Sequence, residues 1–278
     1  MKKIILILLL LNLIQPLSGQ QDWGNPILIE FPRLSQLSVD NQGFIFIADT
    51  EGNIYQYDQR GKEINNFSPN RQAAISHLEA AWTVNIFTFS ADLQEYRILD
   101  RFINPVSENR IPLEHFNVVK IATLGNNNII WAFDETDLSL KQWDYRRNRI
   151  FQNQPLNLIF NKSSFEIRDM REYQNLLFLS IEDEGIYILD NQGNFIKNIP
   201  KEITQRLSFL ESNLIFNELG KLKLLNYQSG QENVFSLPDE LLNYHVIANR
   251  YQLIFYNDRR VMIYPLEQSP LKDIKKQP

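Results

Sequence analysis

Short apolar runs, each ending on a polar residue, recur along this chain at near-regular intervals. Phe44-Ile-Phe-Ile-Ala48 ends on Asp49, a tight polar turn follows, and the alternating stretch Ile54-Tyr-Gln-Tyr57 ends on Asp58. Five degenerate copies come after it. The terminal polar or turn residues are Asp49 and Asp58, Ser90 and Asp100, Asp134 and Asp144, Ser180 and Asp190, Asn217 and Asn226, and Asn257 and Pro265. First members of successive pairs lie 41, 44, 46, 37 and 40 residues apart. That spacing predicts repeated four-stranded units. The first run of each pair (Ile86-Phe-Thr-Phe89, Ile129-Ile-Trp-Ala-Phe133, Leu176-Leu-Phe-Leu179) is β-branched, aliphatic and aromatic, and suits a buried pleated surface. The second alternates, which predicts one face toward a core and one toward something wetter.

Each unit needs two further strands. In the first, Gln36-Leu-Ser-Val39 precedes the turn Asp40-Asn-Gln-Gly43, and Glu63-Ile-Asn-Asn-Phe67 follows the turn Asp58-Gln-Arg-Gly61. Asx and Gly at these turns supply local hydrogen bonding and positive φ. The sixth unit runs into Pro265 with no fourth strand, while a surplus strand, Ile27-Leu-Ile-Glu-Phe31, stands near the N-terminus. The expected fold is therefore all-β: a six-bladed β-propeller of four-stranded antiparallel blades. Strand 27–31 joins the last blade and closes the ring, leaving no open edge between first and last blades.

The stretch from Asp40 to Gly61 resembles an NHL-type blade. It shows a Gly-bearing turn, the strand Phe-Ile-Phe-Ile-Ala-Asp, and the strand Ile-Tyr-Gln-Tyr-Asp with Gly three residues on. The resemblance is recognisable again over residues 172–199. It implies a six-bladed propeller and carries no catalytic residue with it.

Residues 1–19 read as a secretory signal peptide: Lys2 and Lys3, an apolar run from Ile4 to Ile14, and the small-residue ending Leu17-Ser-Gly19. The run is short for a membrane span, and no cysteine follows it for lipid attachment. Residues 20–268 are read as one propeller domain and 269–278 as a short basic tail. The 259 residues left after cleavage give about 43 per blade. A cysteine count of zero excludes disulfides, thiolate ligands and a cysteine nucleophile. The chain is acidic, net −5, or −7 without the leader's two lysines. That disfavours general nucleic-acid binding, which needs a basic footprint.

A propeller sorts its loops onto two faces. The turns between second and third strands, with the links between blades, contain Asp49, Glu51, Asp92, Asp134, Glu135, Asp137, Glu182, Asp183 and Glu184. The opposite set contains Arg60, Lys62, Arg146, Arg147, Arg171 and Arg250. Those nine acids form a candidate partner-binding face for a cationic protein. The competing reading is that solvated loops are charged anyway. Links 104–116 and 153–164 are expected to be long, partner-specific loops.

Chemistry is sparse. His77, His115 and His245 from three blades would suit zinc, but their spacing is not diagnostic. Glu79, Asn117, Glu166 and Asp169 are candidate calcium ligands in a channel, with Arg168 as the competing ion-pair partner of Asp169. His77, Arg168, Asp169 and His245 are the expected polar residues of the channel. Trp23 and Tyr145 are the aromatics expected at the surface, and Asn161-Lys-Ser163 fits a glycosylation sequon. No Gly-x-Ser-x-Gly, phosphate loop or dinucleotide fingerprint occurs.

The sequence thus favours an exported, periplasmic or secreted, monomeric binding or assembly module for a protein partner. It expects no cofactor, no nucleic acid and no stable membrane insertion after cleavage. The alternative is a hydrolase or lyase with calcium or zinc in the channel.

Overall fold

A computed structural model describes residues 23–80, 85–126, 129–160 and 162–272. The leader, Trp82 and Asn161 lie outside the described residues. Six four-stranded antiparallel sheets form a ring. Blade 1 comprises β2 (Leu34–Val39), β3 (Ile45–Asp49), β4 (Ile54–Tyr57) and β5 (Glu63–Phe67). Blade 2 comprises β6 (His77–Glu79), β7 (Asn85–Ser90), β8 (Glu95–Asp100) and β9 (Pro105–Arg110). Blade 3 comprises β10 (Val119–Leu124), β11 (Ile129–Asp134), β12 (Ser139–Asp144) and β13 (Arg149–Pro155). Blade 4 comprises β14 (Ile167–Tyr173), β15 (Leu176–Ile181), β16 (Gly185–Leu189) and β17 (Phe195–Ile199). Blade 5 comprises β18 (Phe209–Leu210), β19 (Asn213–Glu218), β20 (Lys221–Asn226) and β21 (Glu232–Ser236). Blade 6 comprises β22 (His245–Ala248), β23 (Gln252–Tyr256) and β24 (Arg260–Pro265).

The ring closes as the surplus strand requires. β1 (Ile27–Glu30) pairs antiparallel with β24, Ile27 opposite Ile263 and Glu30 opposite Arg260. Trp23, expected at the surface, is buried instead. Its indole donates to the Ser236 carbonyl (3.0 Å) and packs edge-on against Phe255 and Tyr264. Packing also continues past residue 268, for Leu271 is buried in the same cluster between blades 5 and 6.

Apolar side chains fill the gap between each pair of neighbouring blades. This explains the unbroken apolar runs. In β3, Ile45 and Ile47 pack toward blade 6, whereas Phe46 and Ala48 pack toward blade 2. A strand buried on both faces has no wet side and needs no alternation. The alternating third strands depart from expectation for the same reason. Gln56 and Lys141 are as buried as their apolar neighbours. Each spends its polar end on a bond: Gln56 donates to the Arg101 carbonyl of blade 2 (3.0 Å), and Lys141 to Asp134 (2.8 Å).

The recurring polar positions prove to be turn and link anchors. The Asp58, Asp100, Asp144, Asp190 and Asn226 side chains each accept from backbone N–H groups two to four residues on, closing the outer hairpin in five blades. At the other end of the blades, Asn217 donates to the Leu241, Leu242 and Tyr244 carbonyls, and Ser180 to the Ile203 carbonyl. These bonds hold the link into the next blade. Gly52, at φ +87, is required in its turn because a Cβ there would meet the Ala73 carbonyl.

The links expected at 104–116 and 153–164 are shorter than that. β9 and β13 occupy much of them, and a one-turn helix, α1 (Leu156–Phe160), buries Leu156 and Phe160 between blades 3 and 4.

Candidate functional site

The inner strands of blades 2 and 4 and the link into blade 5 meet across the channel. β6 presents His77 and Glu79, β14 presents Asp169 and Arg171, and the segment ahead of β18 presents Arg206. Strand alternation places His77 with Glu79, and Asp169 with Arg171, on the channel side of their sheets. Both strands turn that side inward because the intervening positions, Leu78 and Met170, belong to inter-blade packing.

Arg171 spans the channel. Its guanidinium meets the Glu79 carboxylate at 2.9 and 3.1 Å, donates to the Leu207 carbonyl at 2.8 Å, and lies over the Phe209 ring. Arg206 donates to the carbonyls of Leu78 (2.8 Å) and Leu37 (3.4 Å) and stands 3.8 Å from Asp169. Asp169 in turn accepts the Leu207 N–H at 2.7 Å. Five of the six blades are stitched together by these contacts or by adjacent ones: Ser38 Oγ accepts from Ala80 N, and Ser208 Oγ from Ala248 N.

His77 sits at the middle of this cluster. One ring nitrogen, Nδ1, faces Arg206 Nη2 (3.4 Å) and Asp169 (3.6 Å); the other, Nε2, faces Glu79 (3.5 Å). An arginine only donates, so Nδ1 is assigned as the acceptor and the proton as Nε2–H, directed at Glu79. Burial, reinforced by Arg206, pushes the imidazole below its ordinary value, although Glu79 and Asp169 pull the other way. Burial pushes the Glu79 carboxyl up, but Arg171, the His77 ring and Arg206 outweigh it and hold the group at about 2. With His77 neutral, two carboxylates face two guanidiniums, and the cluster carries no net charge.

Of the residues expected in the channel, the structure brings His77 and Asp169 together and leaves two outside. Arg168 is on the other side of β14 and pairs with Glu182 (2.6 Å) and Glu202. His245 is exposed at the start of β22, its ring against Tyr256. His115 bonds the Asn148 carbonyl in the link between blades 2 and 3. Glu79 joins Asp169 in the channel, each beside an arginine, whereas Glu166 and Asn117 are exposed in links. Among the described residues no three His, Asp or Glu side chains are placed to hold a metal ion. Arg206 was not legible as a channel residue. Its only signal is a charged residue three positions ahead of a buried inner strand.

The nine acids of the candidate face are treated unevenly. Asp49 and Asp134 are buried. Asp49 accepts from the N–H groups of Glu51 and Asn53 and from the Asn53 amide. Asp134 accepts from Asn117, Val118 and Thr136 backbone groups and from Lys141. Burial pushes the Asp134 carboxyl up, but Lys141 and those N–H groups hold it below its ordinary value. Five more have cations of the same face beside them: Glu51 with Arg33, Glu135 with Lys120, Asp137 with Lys141, Glu182 with Arg168, and Glu184 with Lys162. Asp92 and Asp183 are exposed and join no ion pair among the described residues.

On the side of the first turns, the channel opens into a depression of about 340 Å³ lined by Asp40, Arg171, Tyr173, Phe209, Glu211 and Arg250. A smaller one, about 240 Å³, lies beside Glu79, Gly125 and Glu172. Among the described residues no helix is long and apolar enough to cross a membrane.

No family model matches the chain, and no curated protein matches it. Among solved structures it is similar to BamB from Moraxella catarrhalis, with 12% sequence identity over 84% of this chain and 85% of that chain, at a TM-score of 0.47.

Proposed function

We propose that the protein is an exported, non-catalytic binding or assembly module that holds a protein partner on the outside of the ring. One observation supports this above the rest. The channel, where a propeller enzyme concentrates its reacting groups, is filled here by Glu79, Asp169, Arg171, Arg206 and His77 in mutual contact. These groups neutralise one another and tie blades together. A ring braced in this way is a rigid support for loops and rims that differ from blade to blade.

The test is chemical cross-linking in the native envelope followed by affinity capture and mass spectrometry. The proposal expects one or a few proteins cross-linked at stoichiometric yield, with adducts on the outer rim or the turns. Capture of nothing above a tag-only control would overturn it. The hydrolase or lyase reading would instead require Glu79 and Asp169 to leave their arginines and hold an ion. Metal analysis of the purified protein distinguishes the two.

A further inference from the structure

The rim of blades 2 and 3 carries arginines of a different kind from those in the channel. Arg101 lies over the Phe102 ring at 4.9 Å, Arg149 over Phe151 at 5.6 Å, and Arg146 over Tyr145 at 5.7 Å. All three arginines are exposed, and none joins an ion pair among the described residues. Apolar area is exposed with them: Phe102 at 55%, Val106 at 58% and Phe151 at 47%.

β9 connects the two ends of this strip. Phe102 is in the turn that leads into it, and Val106 is on it. Near its far end Asn109 donates to the Tyr96 hydroxyl, whose ring stands edge-on to Tyr145 at 5.9 Å. The carboxylates of the same sector are already engaged. Glu95 is held by Arg71, Arg97 and Arg110; Glu108 by Arg97; Asp144 by Arg147. Asp100 accepts backbone N–H groups, and Glu114 accepts the Asn148 amide. The sector therefore presents Arg146 and Arg149 outside any ion pair, and Arg101 with only the adjacent Asp100 acting on it, interleaved with exposed rings, on a chain whose net charge is −5.

We infer that this rim strip docks an acidic polypeptide segment of the partner, one that carries carboxylates among apolar side chains. Guanidiniums pre-oriented over rings offer carboxylates two-pronged hydrogen bonds, and the adjacent rings offer apolar cover. Arginine and aromatic residues together are the usual composition of interface hot spots. The occupant is local rather than an extended anionic surface. A membrane or a nucleic acid would span more of the surface of a chain whose net charge is −5. The inference rests on the binding-module reading and names the chemistry of its partner.

The experiment uses the full mature chain and a short fluorescein-labelled peptide alternating Glu with Leu, followed by fluorescence anisotropy. The wild type is expected to bind this peptide at least tenfold more tightly than Arg101→Glu/Arg146→Glu/Arg149→Glu, and to ignore a peptide with Lys in place of Glu. Salt should weaken the binding, and Arg259→Glu, in a turn of blade 6, should leave it unchanged. A triple Gln variant, which keeps size and removes charge, guards against misfolding of the Glu variant and should lose the same affinity. Equal binding by wild type and triple variants overturns the inference. So does rim-dependent binding to phosphatidylglycerol vesicles without rim-dependent binding to the peptide. If the rim variants bind the peptide normally and still cross-link the native partner, the strip is wrong and the module reading stands. If no native partner cross-links at all, the module reading fails whatever the peptide does.

Discussion

Arg171 and Arg206 at the hub, and Arg101, Arg146 and Arg149 on the rim, are the same side chain in two electrostatic settings. At the hub each guanidinium is buried or half-buried, and carboxylates and carbonyls from other blades surround it. On the rim each is in water, lies over an aromatic face and joins no ion pair among the described residues. Desolvation decides the difference. A buried charge must be matched or it destabilises the fold by several kcal/mol, so hub arginines are committed to structure. An exposed charge costs almost nothing when left unmatched, so rim arginines remain available to a partner. The same logic applies to the acidic face. Asp49 and Asp134 are committed, five other acids are paired with nearby cations, and only Asp92 and Asp183 of the nine are left without an ion pair among the described residues.

The comparison breaks most readily at the hub. Arg206→Met leaves Asp169 without that counter-charge and the Leu78 and Leu37 carbonyls without their donor, and should destabilise by about 3–5 kcal/mol. Differential scanning calorimetry checks this; a melting temperature unchanged within error would show that the cluster does not brace the ring. Glu79→Gln should cost a similar amount by stranding Arg171.

Acid is the second lever, and two signs must be kept apart. The His77 folded-state value is depressed, so its contribution is complete above its unfolded value near 6.5 and is lost as pH falls through the lower folded value. Glu79 behaves as carboxylates usually do. Its stabilisation, about 3 kcal/mol, is complete above its ordinary value of 4.5 and is lost as pH falls toward about 2. Thermal melts from neutral pH downward should therefore begin to weaken below about 6.5 in the wild type, and more shallowly there in His77→Gln, where His245, also depressed by burial, still titrates. Coincident pH profiles for the two proteins would remove His77 from the account.

A backbone effect is smaller. Gly52→Ala forces a side chain into the left-handed region against the Ala73 carbonyl, and should cost about 1–3 kcal/mol by denaturant unfolding. The smallest effect is the most diagnostic. Arg101→Glu, Arg146→Glu and Arg149→Glu should each leave stability within about 0.5 kcal/mol, because all three are exposed and none joins an ion pair among the described residues. A large loss from any of them would move that arginine from the rim class to the hub class.

Legibility followed burial and locality. The two middle strands of each blade stood out because both their faces pack on neighbouring blades and their ends repeat Asx or Ser anchors. The outer strand β9 and the end of β13 read as loops. Pro105-Val-Ser-Glu-Asn-Arg110 is exposed almost throughout, so it lacks any apolar period. The closing strand was legible because Ile27, Ile29 and Phe31 have an apolar side and the sixth unit lacked a partner for it. The hub was half legible. His77 and Asp169 were visible as polar residues on inner strands, but the Glu79–Arg171 pair spans 92 residues and Arg206 comes from a link. No local pattern reports which groups meet across a ring. The rim strip was missed in part, since Arg101, Phe102 and Arg149 look like ordinary turn and strand-edge residues until their lack of carboxylate partners is seen.

The central claim, that the hub braces the ring while the rim binds, is tested most directly by one paired capture. Glu79→Gln and the rim triple variant are each expressed in the native host, cross-linked below the melting temperature of both, and their partner yields quantified per folded molecule by mass spectrometry. The account predicts wild-type yield for Glu79→Gln and at least a tenfold loss for the rim variant. Loss of the partner in Glu79→Gln with full retention in the rim variant would contradict it.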